Sequence, residues 1–133
     1  MIKTFERFMD RREDASRLYV RGNAGLLLEL STQQDPAILF NPRGQAIIGA
    51  REVNCVNAVN ARRFADARND FFSIYEMGSD EDTAYWTGIQ HAEVLMIGSD
   101  EWVRADLLVT ELVRREYDGW KLWLRHASPL AKA

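Results

Sequence analysis

The sequence predicts an α+β domain: about three helices in the N-terminal half, then an antiparallel sheet built as a long meander. Three observations carry this. Apolar residues between positions 2 and 20 recur at the 3.6-residue period of a helix. Strand-like runs rich in aromatic and β-branched residues begin near Ala67. Tyr117-Asp118-Gly119-Trp120 carries the strongest short hairpin signal, because Asp-Gly tolerates the positive φ values of a type I′ turn and apolar alternation flanks it.

Taken in order, Ile2, Phe5, Phe8, Met9, Arg12, Ala15, Ser16 and Tyr19 share one face of the first helix. Gly22-Asn23 stops it, and Asn23 can cap a second, short helix through Leu26, Leu27, Leu28 and Leu30. Asp35-Pro36 ends that helix. Residues 37–40 and 45–48 read as two short strands joined by Asn41-Pro42-Arg43-Gly44, whose proline and glycine suit the second and fourth positions of a type I turn. A third helix is expected over residues 50–65. Within it Asn54, Asn57 and Asn60 recur every three residues and read as a solvated helix face sooner than as a binding stripe. Strands follow at Phe71–Tyr75, at Thr83–Ile97 and on either side of the Asp-Gly turn.

A two-residue Asp118-Gly119 loop pairs Tyr117 with Trp120, Arg115 with Leu122, Val113 with Leu124, Glu111 with His126 and Val109 with Ser128. That register puts Glu111 and His126 face to face in an apolar row. A buried carboxylate needs a partner, so the pair either closes one end of the core or forms a ligand-facing acid/base dyad. Pairing Ile97 with Trp102 across the Gly98 turn adds Met96, Val94, Ala92, Gln90, Gly88 and Trp86 to the same face, and leaves His91 on the other. A glycine opposite Glu111 implies a packing gap or a bend in the sheet. On the opposite face Tyr85, Ile89, Leu95, Ile97, Trp102, Leu108, Leu112 and Trp123 form an apolar set that suggests a homodimer through the sheet.

The totals bound the function. At 133 residues the chain fits a single domain spanning residues 1–133. A net charge of -3 argues against nucleic acid or an anionic membrane surface as partner. Cys55 is the only cysteine, which excludes an intrachain disulfide and the usual Cys/His metal spacings; a reducing, cytoplasmic setting fits, and no metal or cofactor is expected. No apolar run approaches the ~20 residues of a membrane span, and the N-terminus lacks a signal peptide's apolar core.

The order of these elements resembles the nuclear-transport-factor-two-like superfamily, also called SnoaL-like or ketosteroid-isomerase-like. The resemblance rests on Tyr19-Val20-Arg21-Gly22-Asn23, Phe40-Asn41-Pro42-Arg43-Gly44 with Gly49 after it, Tyr85-Trp86-Thr87-Gly88, residues 110–116, Asp118-Gly119-Trp120-Lys121 and Arg125-His126-Ala127-Ser128-Pro129. It implies a cone-shaped fold in which a strongly curved sheet wraps the helices around an apolar pocket, often with dimers formed through the sheet. Chemistry varies widely on such a fold. The steroid isomerases place an aspartate base just before a proline and use a tyrosine and a protonated aspartate as oxyanion donors. Here Asn41 precedes Pro42, Ala15 stands near the tyrosine's place and Glu111 near the protonated aspartate's, so a standard ketosteroid isomerase is not expected.

Two functions follow. In the first, a small enzyme acts on an apolar metabolite by proton transfer. His126 is its base or acid, Glu111 orients His126, Asn41 or Gln90 donates to an oxyanion, and Tyr19 and Trp86 line the pocket. In the second, the domain is a non-catalytic dimeric module for a small ligand or a partner chain.

Overall fold

The computed structural model describes residues 4–131. Helix α1, Phe5–Tyr19, begins where the Thr4 side chain accepts a hydrogen bond from the Arg7 amide at 3.2 Å, satisfying one of the donors that a first helical turn leaves unpaired. Its buried residues are Phe5, Phe8, Met9, Arg12, Ala15 and Ser16. This is the face read from the period, apart from Ile2, which lies outside the described residues. Gly22, at φ 94°, turns the chain where a side chain would press on the Phe64 carbonyl. Asn23 Oδ1 then accepts from the Gly25 amide at 2.9 Å, opening α2, Gly25–Leu30.

Strands β1, Ile38–Phe40, and β2, Ala46–Ile48, form the short hairpin, and α3 follows over Ala50–Ala61. This helix stops short of the expected residue 65. Phe64 already begins β3, Phe64–Ser79, where it packs against Tyr19. The meander continues as β4, Thr83–Met96, β5, Trp102–Arg104, β6, Leu107–Glu116, and β7, Gly119–Pro129. The sheet runs β2-β1-β7-β6-β4-β3, with β5 paired to β4. It is mixed rather than wholly antiparallel, because β1 lies parallel to β7. No hairpin joins those two strands, so no turn dictates their relative direction.

One sheet face, with Ala84, Trp86, Val109, Val113, Trp120, Leu122 and Ala127, packs on Phe5, Phe8, Met9 and Ala15 of α1 and on Leu27 and Leu30 of α2. Three register shifts in β3 bend the sheet around this core. β3 crosses close to β4 at Gly88, where an added Cβ would stand 2.0 Å from the Ser73 carbonyl oxygen. Gly88 thus marks a close backbone approach, not a packing gap. On the opposite, outer face Phe71, Tyr75, Tyr85 and Leu108 are exposed. Among the described residues no helix is long and apolar enough to cross a membrane.

Candidate functional site

Glu111 is fully buried and is the pivot of the interior polar cluster. Its place follows from the β4–β6 register, which pairs Trp86 with Glu111, and from the β4–β5 register, which pairs Leu95 with Trp102. This is two residues away from the expected alignment, and a two-residue slip leaves every side chain on its face. Trp86 and Gln90 therefore do share the Glu111 face.

The β6–β7 hairpin behaves differently. Its loop is Tyr117-Asp118, with Glu116 paired to Gly119 at φ 120°. Arg115 meets Trp120 and Val113 meets Leu122, but Leu112 then meets Leu124, so Trp123 is an extra residue on β7. This bulge reverses the inside and outside of everything beyond it. Arg125 falls opposite Glu111, and His126 falls opposite Thr110, exposed, with its ring edge-on to Phe40. The expected Glu111–His126 dyad does not form, and the acid/base role proposed for His126 loses its geometry.

Two arginines replace the histidine. Arg12 grips Glu111 as a fork, Nε donating to Oε1 at 2.9 Å and Nη2 to Oε2 at 2.8 Å. Arg125 Nη1 donates to Oε2 at 2.7 Å, and Trp86 Nε1 to Oε1 at 2.7 Å. Burial by itself would raise the Glu111 pKa, but the guanidiniums of Arg12 and Arg125 outweigh it and bring the group down to about 2. Glu111 is thus a saturated carboxylate, without the free lone pair or the near-neutral pKa that a general base needs. Arg125 also donates through Nη2 to Gln90 Oε1 at 2.9 Å.

Above this cluster opens a cavity of about 230 Å³. Its apolar wall includes Val20, Leu27, Leu39, Phe64, Val94 and Leu107. Its polar wall includes Arg12 and Arg125 beside the buried Glu111, and Arg43 and Arg63, both exposed. Among the described residues no aspartate or glutamate is on the wall. Arg12 Nη1 is buried without a hydrogen-bond partner, which is a costly condition for a charged donor.

Of the other residues expected at the site, Tyr19, Asn41 and Gln90 line the cavity. Burial holds the Tyr19 hydroxyl above its usual pKa, opposed by Arg125 and Arg12. Asn41 uses its Oδ1 on the amides of Arg43 and Gln45 and its NH2 on Gln45, so it shapes the turn and is not a free oxyanion donor. Trp86 lies beneath the cavity wall, stacked on Phe72 at 4.6 Å and bonded to Glu111. The asparagine stripe of α3 is not the solvated face expected of it: Asn57 is buried, and Asn57 and Asn60 both face the cavity. The missed partners were Arg12 and Arg125, and the usable signal was Arg12 standing within the apolar face of α1.

No family model matches the sequence, and no curated protein does. Solved structures match along nearly the whole chain. A domain from Thiobacillus denitrificans provisionally described as a calcium/calmodulin-dependent protein kinase type II association domain superposes with TM-score 0.76 at 21% identity, covering 98% of each chain. A protein from Streptomyces avermitilis provisionally described as a dehydratase of the nuclear-transport-factor-two-like family gives TM-score 0.75 at 22% identity, over 96% of this chain and 97% of that one. A ketosteroid isomerase-like protein from Erwinia carotovora atroseptica gives 0.70 at 17%, over 90% and 94%. At these identities the likeness establishes the nuclear-transport-factor-two-like fold.

Proposed function

We propose that the protein binds a small molecule with an apolar body and one carboxylate, the carboxylate seated against Arg12 at the floor of the cavity. The observation that carries this is charge: one buried and one partly buried guanidinium share one glutamate, and among the described residues the other charged groups on the cavity wall are also arginines. The buried cluster is left with an excess positive charge, and Arg12 Nη1 is a donor aimed at nothing. A carboxylate there would satisfy it with a charge-assisted bond, in a setting where such bonds are strong. At about 230 Å³ the cavity falls below the ~300 Å³ at which sites for drug-sized ligands begin, so the ligand is small. Proton transfer by Glu111 or His126 forms no part of this reading.

Calorimetry with a matched series tests it: hexanoate, benzoate, and the corresponding alcohols and amides. The carboxylates should bind and weaken with added salt, and the neutral analogues should bind at least tenfold less well. Equal affinity for hexanoate and hexanol would overturn the proposal.

A further inference from the structure

We propose that Ser73 is a nucleophile on the outer face of the sheet, with His91 as its base and Asp106 as the positioning residue. This site is independent of the cavity. Ser73 Oγ lies 2.9 Å from His91 Nε2, and His91 Nδ1 lies 3.6 Å from Asp106 Oδ1. His91 Nδ1 is buried and makes no hydrogen bond. The acidic oxygen on that side favours the proton on Nδ1, which leaves the Nε2 lone pair to accept the serine hydroxyl proton, the division of roles that an acid, an imidazole and a serine adopt in acyl transfer. The 3.6 Å separation exceeds a hydrogen bond, as is common before substrate is bound.

The surroundings are ordered. Phe71 stacks on the His91 ring at 4.5 Å. Asp106 is anchored by the Ala92 amide on Oδ1 at 3.2 Å and by Arg104 on Oδ2 at 2.8 Å. Ser73 stands between two register shifts of β3, one at Arg68/Phe71 and one at Ile74/Glu76, where bulges re-aim side chains. Because β3 ends the sheet, the serine lies toward a free edge. Its cross-strand partner Ile89 begins an outer groove of about 270 Å³ that Tyr75, Leu108 and Val109 also line.

Tyr75, Ile89, Leu108 and Val109 of that groove, beside the serine, would give apolar contact to a short acyl chain, so the substrate class is an activated ester of a small apolar acid. Ser73 Oγ would bond to the acyl carbon as its proton passes to His91 Nε2. The ester C–O bond then breaks, and the leaving alcohol takes that proton. Water, deprotonated by His91, afterwards releases the acid and restores the serine.

The test uses an ethyl fluorophosphonate, with which the Oγ–P bond forms, the P–F bond breaks and fluoride leaves. Intact mass should show one adduct per chain, and peptide mapping should place it on Ser73. His91→Ala should slow labelling about 10²-fold. Asp106→Asn should slow it and Asp106→Glu restore it, with melting temperatures recorded for every variant. Wild-type protein that takes no label under conditions that label a serine hydrolase, or takes it elsewhere, overturns the proposal without reference to any variant. Labelling unaffected by a folded His91→Ala protein overturns it as well.

Discussion

Replacing Glu111 with glutamine removes the one negative charge from a buried cluster that holds two guanidiniums, while keeping size and one acceptor. The cost can be worked from the depressed acidity of the group. A pKa brought from 4.5 down to about 2 corresponds to about 3 kcal/mol of folding stability at neutral pH. That agrees with the roughly 3–5 kcal/mol lost when a buried ion pair is broken from one side. Because the folded-state pKa lies below the unfolded one, this stability is fully present above about pH 4.5 and is lost as pH falls through about 2. Urea denaturation of both proteins between pH 7 and pH 3 tests it. With a slope of about 1–3 kcal/mol per molar urea, the midpoint of Glu111→Gln should fall by at least about 1 M at pH 7. The gap should narrow below pH 4.5. A difference under about 1 kcal/mol at pH 7, or a gap that does not change with pH, would refute the view that Glu111 is the ionised counterion of Arg12 and Arg125.

Two further outcomes are expected. Gly88→Ala puts a methyl into the Ser73 carbonyl and should destabilise by about 3 kcal/mol or more, read as a lowered urea midpoint; a neutral result would mean that β3 does not approach β4 there. Arg63→Ala and Arg43→Ala, both exposed on the cavity wall, should weaken carboxylate binding about three- to tenfold by calorimetry while leaving the melting temperature unchanged, as removal of partly screened charges does; unchanged affinity in both would confine the anion's contacts to the cavity floor.

The fold was legible in the sequence because its signals are local and repeated. The buried face of α1 follows from spacing alone, and the Gly22-Asn23 break does what its residue types allow. Around the site, legibility depended on parity. The two-residue misalignment of β4 against β6 cost nothing, since Trp86, Gln90 and Glu111 kept a common face. The single extra residue at Trp123 cost the dyad, since it exchanged His126 for Arg125. Nothing in Leu122-Trp123-Leu124-Arg125 announces a bulge: there is no glycine or proline, and the apolar alternation continues past it. Chemistry was the better guide than register. Arg12 lies in the apolar face of α1, and a guanidinium that is charged at every accessible pH demands a carboxylate more strictly than a histidine does.

That same demand supports the proposed carboxylate reading over a purely stabilising role. One arginine would have neutralised Glu111, and an apolar pair in the same volume would often be at least as stable. The second arginine adds another charge to be desolvated, and burial accordingly lowers the Arg125 pKa against the pull of Glu111. What the arrangement supplies is order. Glu111 holds the Arg12 fork by two of its nitrogens and fixes the plane of the guanidinium, so that the third, Nη1, stays buried without a partner. Gln90 in turn holds Arg125. Under the proposed reading, a carboxylate would meet donors whose rotamer entropy is already spent and whose excess charge it would neutralise, so the desolvation penalty of the unpaired guanidinium would become part of the binding free energy.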